Sequence, residues 1–172
     1  EGLRSHYGDT LYGHYKDFPT SSNIYTLKPG VVPYGTRAVH GHFRANLFSA
    51  LNPKFQFTFI RDPAERFVSL YTYLADQYAL TKSPDLRFLE NTKDIVDFSR
   101  TIAHDYVIYF LGFDIGRFDF VGRQDRYSED LARLSGMLGF EMPQFTLNKT
   151  RTSNLRVNIL NDTAMMAKLR DS

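Results

Sequence analysis

The sequence has no cysteine among its 172 residues. That excludes a disulfide framework, thiol catalysis and any cysteine-ligated zinc or iron–sulfur centre. The same absence leans toward a reducing compartment. No apolar run approaches the ~20 residues a helix needs to cross a bilayer. Glu1 to Thr10 are polar and carry both charge signs, so no secretory leader is expected there. Acids are missing from two stretches. Phe18 to Arg61 holds no Asp or Glu, where an even spread of the 19 acids would place about five. Met142 to Asn161 is likewise free of acid.

What fills those stretches is basic. The first holds Lys28, Arg37, Arg44, Lys54 and Arg61 with His40 and His42, and the second holds Lys149, Arg151 and Arg156. They are either two basic surface strips or the two sides of one anion site. Net charge is only +2, which argues against a general nucleic-acid coat. Arginine outnumbers lysine 14 to 7, and its planar fork suits bidentate contact with anionic oxygens.

A chain of this length suits one domain over residues 1–172 and can bury a core unaided. Glu1 to Tyr7 reads as the tail of a helix stopped at Gly8-Asp9, so the numbering is expected to begin partway through a domain. Short strands are expected within Thr10 to Phe18, at Arg37 to His40, at Phe55 to Ile60 and at Phe118 to Val121. Phe43, Leu47, Phe48 and Leu51 share a helical face, ended by Asn52-Pro53. Asp62 is a good N-cap and Pro63 a good first helical residue. Phe67, Leu70, Tyr71, Leu74 and Tyr78 then mark an amphipathic helix from Pro63 to about Tyr78. Lys82 to Asn91 reads as a loop, Asp94 to Gly112 as helix in two pieces, and Asn148 to Asn154 as a polar loop. Tyr127 to Leu138 reads as a helix closed by Gly139, and Asn161 to Asp171 as a last short helix. Strands alternating with helices imply an α/β fold, a parallel sheet covered on both faces, with Phe55 to Ile60 as its buried central strand.

Ligands of such sheets bind beyond the carboxyl ends of the strands. Three ends are readable: His40-Gly41-His42, Arg61-Asp62-Pro63 and Gly122-Arg123. Arg61 stands at a helix amino terminus, where an anion is favoured, and Ser69 lies two turns into that helix. Together they would grip a phosphate; otherwise Arg61 pairs with Asp62 or Glu65 and Ser69 is a small residue at a helix contact. His40 and His42 would face one side of a strand. They are either a general base with its neighbour or structural hydrogen-bonders. No third metal ligand accompanies them, so no metal is expected. Asn148-Lys149-Thr150 and Asn161-Asp162-Thr163 fit the glycosylation triplet, a pattern common by chance.

Phe59-Ile60-Arg61-Asp62-Pro63-Ala64-Glu65-Arg66-Phe67-Val68-Ser69-Leu70-Tyr71 closely resembles the Arg-Asp-Pro-x-x-Arg-x-x-Ser-x-Tyr signature of sulfotransferases. His40-Gly41-His42 is similar to the active-site segment of the carbohydrate branch, especially the uronosyl 2-O-sulfotransferases and their bacterial relatives. Phe118 to Gly122 with the helix after it, and Asn148-Lys149-Thr150, resemble later family blocks, so the likeness runs from about His40 to Arg170. It implies a P-loop-nucleotide-hydrolase-like sulfotransferase fold. It also implies 3′-phosphoadenosine 5′-phosphosulfate (PAPS) as sulfuryl donor and a carbohydrate-like hydroxyl as acceptor. Arg61 and Ser69 would hold the 3′-phosphate. His42 would be the base with His40 beside it, and Lys149 and Arg151 would face the nucleotide. The family's first strand and its Gly-rich, Lys-containing 5′-phosphosulfate loop are absent from these residues, and both are expected to precede Glu1. Gly122-Arg123-Gln124-Asp125 also departs from the family, which more often has an uncharged residue and then Glu.

The expected activity is therefore PAPS-dependent sulfuryl transfer, resting on positioning and charge stabilisation. A non-catalytic nucleotide- or polyanion-binding module on the same fold is the alternative. A P-loop phosphotransferase would want carboxylates for Mg²⁺, against which the acid-free stretch argues. The cysteine-free composition and lack of a membrane segment point to a bacterial cytoplasmic enzyme rather than one of the Golgi lumen.

Overall fold

The computed structural model describes residues 2–15, 30–102, 114–144 and 154–171. In chain order these form α1 (Gly2–Tyr7), β1 (Leu11–His14), β2 (Ala38–Gly41), β3 (Phe57–Ile60), α2 (Pro63–Thr81) and α3 (Ile95–Ile102). β4 (Phe120–Arg123), α4 (Tyr127–Leu138), α5 (Asn154–Asn161) and α6 (Thr163–Arg170) follow. The chain divides into two compact units, Glu1–Ile60 with His104–Phe145 and Arg61–Ala103 with Thr146–Ser172.

The first unit carries the strands. β1 pairs with β2 in parallel, Gly13 opposite His40 and His14 opposite Gly41. β3 pairs with β4 in parallel, Phe57 opposite Phe120 and Ile60 opposite Arg123. The parallel arrangement is the expected one. The burial is not, because all four β3 residues are only half-buried and β4 is its one strand partner among the described residues. β4 starts two residues later than expected, at Phe120 rather than Phe118. Gly122 lies directly under the Phe59 ring, where any Cβ would collide. That aromatic covering replaces a side chain on β4 and reaches Tyr127 at 5.1 Å between ring centroids. α4 packs on β4, and Leu131 and Leu134 of α4 and Phe120 of β4 are all buried. Gly139 ends α4 at φ +73°, a left-handed position that favours glycine, with its N–H on the Ser135 carbonyl at 3.0 Å.

Residues 43–51 form no α-helix. Leu47, Ser49, Leu51 and Asn52 each donate three residues back, to Arg44, Asn46, Phe48 and Ser49, giving tight turns and a single 3₁₀ turn at Ser49–Leu51. The stretch between β2 and the Asn52-Pro53 stop is short for a cooperative helix. Its apolar side chains are used otherwise: Phe43 and Phe48 pack edge-on at 4.9 Å and close over His14.

The second unit is helical. Asp62 caps α2, its Oδ1 accepting the Glu65 N–H at 3.0 Å, with Pro63 in the first helical position. α2 runs one turn beyond Tyr78 and ends where Lys82 takes φ +50°. α2 packs with α3, α5 and α6 around Ala64, Val68, Ile95, Ile159, Met166 and Leu169. The buried stripe of α2 is Ala64, Val68 and Thr72, while Phe67 and Tyr71 flank it. Small residues let the helices approach closely, and Tyr71 then meets the fully buried Phe98 at 5.1 Å. The expected loop after Lys82 contains a 3₁₀ helix, Pro84–Asn91. α5 departs from the expectation: it begins at Asn154, where the sequence reads as the end of a polar loop. Residues 16–18, 103–112 and 148–153 of the expected elements lie outside the described residues.

Candidate functional site

The first candidate constellation is built by β1 and β2. Gly41 sits at φ +147°, and a Cβ on it would collide with the His14 carbonyl and backbone. Glycine therefore lets the end of β2 lie against β1, and His42 donates its N–H to the His14 carbonyl at 3.1 Å. β2 stops at Gly41, so the two histidines do not share one regular strand face as expected. Both rings nonetheless gather at Tyr15, just past β1. The Tyr15 ring stands edge-on to His40 at 5.4 Å and tilted to His42 at 5.6 Å. The Tyr15 hydroxyl and His40 Nδ1 are 2.9 Å apart. His42 is exposed and His40 half-buried. Burial first, and the Arg4 charge after it, hold His40 below the ordinary histidine pKa, so it is neutral near pH 7.

Tyr15 was missed by sequence reasoning. It lies 25 residues before His40, in an unremarkable aromatic run, and only the parallel pairing of β1 with β2 joins them.

The second constellation is the start of α2. Few backbone donors are open there: Pro63 has no N–H, Asp62 takes that of Glu65, and Arg66 donates to the Asp62 carbonyl at 3.0 Å. Anion binding at this helix start therefore falls chiefly on side chains. Arg61 retains 27% of its side-chain exposure and meets the Glu65 carboxylate through Nε at 3.7 Å. That is ion-pair distance, too long for a hydrogen bond, and the buried Nε has no hydrogen-bond partner. An under-satisfied guanidinium at a helix start fits a phosphate. Half-buried Ser69 lies one turn beyond Glu65 on α2, so Glu65 sits between the two expected phosphate ligands along the helix. Asp62 uses its other oxygen on Arg170 of α6 at 3.8 Å.

The third strand end is already neutralised. Arg123 forks onto Asp125 with bonds of 2.9 and 2.6 Å. Its backbone N–H goes to Asp130 Oδ2 at 2.8 Å, and Arg133 reaches Asp130 Oδ1 at 3.2 Å. Asp130 is held below the usual carboxylate range, first by the Arg123 N–H and then by Arg126 and Arg133. This cluster ties the end of β4 to α4. Lys149 and Arg151 lie outside the described residues. Among the described residues no three His, Asp or Glu side chains are grouped to hold a metal ion, and no helix is long and apolar enough to cross a membrane.

A family model described as the sulfotransferase family matches residues 38–170, from the first residue of β2 to the last of α6. The chain belongs to the sulfotransferase family. This family includes the uronosyl 2-O-sulfotransferases, and the carbohydrate branch fits it. The matched span contains His40, His42, Arg61 and Ser69, whereas β1 and Tyr15 precede it. No curated protein and no solved structure matches the chain significantly.

Proposed function

We propose that this sulfotransferase-family chain transfers a sulfuryl group from PAPS to a hydroxyl of a carbohydrate acceptor. The observation that carries the reading is the under-satisfied Arg61 guanidinium, set at the start of α2 within the signature run Arg61 to Tyr71. Arg61 and Ser69 take the 3′-phosphate of the donor, and the phosphate displaces Glu65 from Arg61. Lys149 and Arg151 face the nucleotide. His42 accepts the proton of the acceptor hydroxyl as its oxygen bonds to sulfur and the sulfur–oxygen bond to the 5′-phosphate breaks. The products are the sulfate ester and 3′-phosphoadenosine 5′-phosphate. Such a base is worth about 10²–10⁴-fold in rate, the remainder coming from alignment and charge stabilisation.

The test is transfer of radiolabelled sulfate from PAPS to a uronic-acid polysaccharide by the purified protein. Label in the polymer supports the reading. Tight binding of the nucleotide with no transfer to any hydroxyl acceptor would instead favour a nucleotide-binding module.

A further inference from the structure

Tyr15 and His40 meet where β1 pairs with β2. In the parallel register of β1 with β2, Gly13 stands opposite His40, and Tyr15 follows His14. Gly13 has no side chain to fill the space between them. A Cβ there would lie 3.3 Å from the Tyr15 ring and 3.5 Å from His40 Nε2. The two ring nitrogens of His40 therefore differ in surroundings: Nδ1 meets the Tyr15 hydroxyl at 2.9 Å, and Nε2 lies over the bare, exposed Gly13.

The direction of that hydrogen bond follows from chemistry. A neutral imidazole nitrogen is a far better acceptor than a phenol oxygen, and a phenol O–H is a good donor. The stable pairing is O–H to Nδ1. A neutral histidine whose Nδ1 accepts must carry its proton on Nε2. We propose that Tyr15 is a positioning residue that locks His40 in the Nε2–H form. His40 then cannot take a proton at Nε2, the nitrogen beside Gly13. It donates from Nε2 to an oxygen of the bound acceptor, and proton removal falls to His42. The burial that keeps His40 neutral works in the same direction.

The assignment of roles in turnover rests on the sulfotransferase reading, but the tautomer does not. Two-bond proton–nitrogen correlation spectra of ¹⁵N-histidine-labelled protein read the His40 tautomer directly, with or without activity. The expected result is a proton on Nε2 in the wild type and a mixture of tautomers in Tyr15→Phe. A wild-type proton on Nδ1, or an unchanged tautomer in Tyr15→Phe, overturns the proposal. Turnover supplies the second arm. Tyr15→Phe should lower kcat about 2- to 10-fold, the scale of one neutral hydrogen bond, with donor KM unchanged. His40→Gln keeps an N–H donor but cannot accept a proton, so it should retain several-fold more activity than His40→Ala. Equal loss in His40→Gln and His40→Ala would make His40 a base and refute the division of roles. Absence of sulfuryl transfer in the wild type would refute the sulfotransferase reading alone, leaving the tautomer result to decide the rest.

Discussion

Replacing Arg61 with alanine should weaken binding of 3′-phosphoadenosine 5′-phosphate by about 5- to 70-fold. A hydrogen bond to a charged group contributes about 1.5–3 kcal/mol. The phosphate must first displace Glu65, whose carboxylate is 3.7 Å from Arg61 Nε with both side chains partly exposed at 27% and 47%. An exposed pair of that kind is worth about 0.5 kcal/mol, with about 1 kcal/mol as its upper bound. The difference, about 1–2.5 kcal/mol, corresponds to the stated range of affinity. Glu65→Gln removes the competing carboxylate and should tighten binding by up to about fivefold on the same arithmetic. Titration calorimetry with the product nucleotide measures both variants. Adenosine 5′-phosphate, which lacks the 3′-phosphate, is the control and should be insensitive to Arg61→Ala. Unchanged affinity in Arg61→Ala, or an equal loss for the two nucleotides, would refute the assignment of Arg61 to the 3′-phosphate.

The cap and the acidic knot give two further tests. Asp62→Ala removes the acceptor for the Glu65 N–H and should cost about 1 kcal/mol. That corresponds to roughly 2–4 °C in Tm for a chain of this size, while Asp62→Asn should retain most of the cap. Equal melting temperatures for wild type and Asp62→Ala would contradict the cap. Asp130 is held below its ordinary carboxylate pKa in the folded state, chiefly by the Arg123 N–H. Its contribution is therefore fully present above the unfolded value of about 3.9 and is lost as pH falls through the lower folded value. Urea midpoints between about pH 5 and pH 2 should fall less steeply for Asp130→Asn than for wild type; identical slopes would exclude Asp130 from the acid response.

The elements that could be read from residues alone are those with local punctuation. Asp62-Pro63 starts α2 and Gly139 ends α4, each by side-chain or φ requirements that need no tertiary context. The parallel pairing was legible because strands alternate with helices. Periodicity failed where packing decided the outcome. The apolar spacing over 43–51 fits a helix, yet Phe43 and Phe48 pack with His14 and leave only tight turns. On α2 the large aromatics marked the face, but small residues occupy its buried centre. His40, His42, Arg61 and Ser69 could be named as candidates from position and motif. Tyr15 could not, because nothing local links it to a strand 25 residues away, and in the sequence Glu65 reads only as an alternative ion-pair partner for Arg61.

The most direct test of sulfuryl transfer with His42 as base is kcat of His42→Ala, measured with labelled PAPS and a uronic-acid polysaccharide at saturating donor. The account predicts a fall of about 10²–10⁴-fold, with affinity for 3′-phosphoadenosine 5′-phosphate and melting temperature close to wild type. A His42→Ala protein that transfers sulfate at a near-normal rate would contradict it.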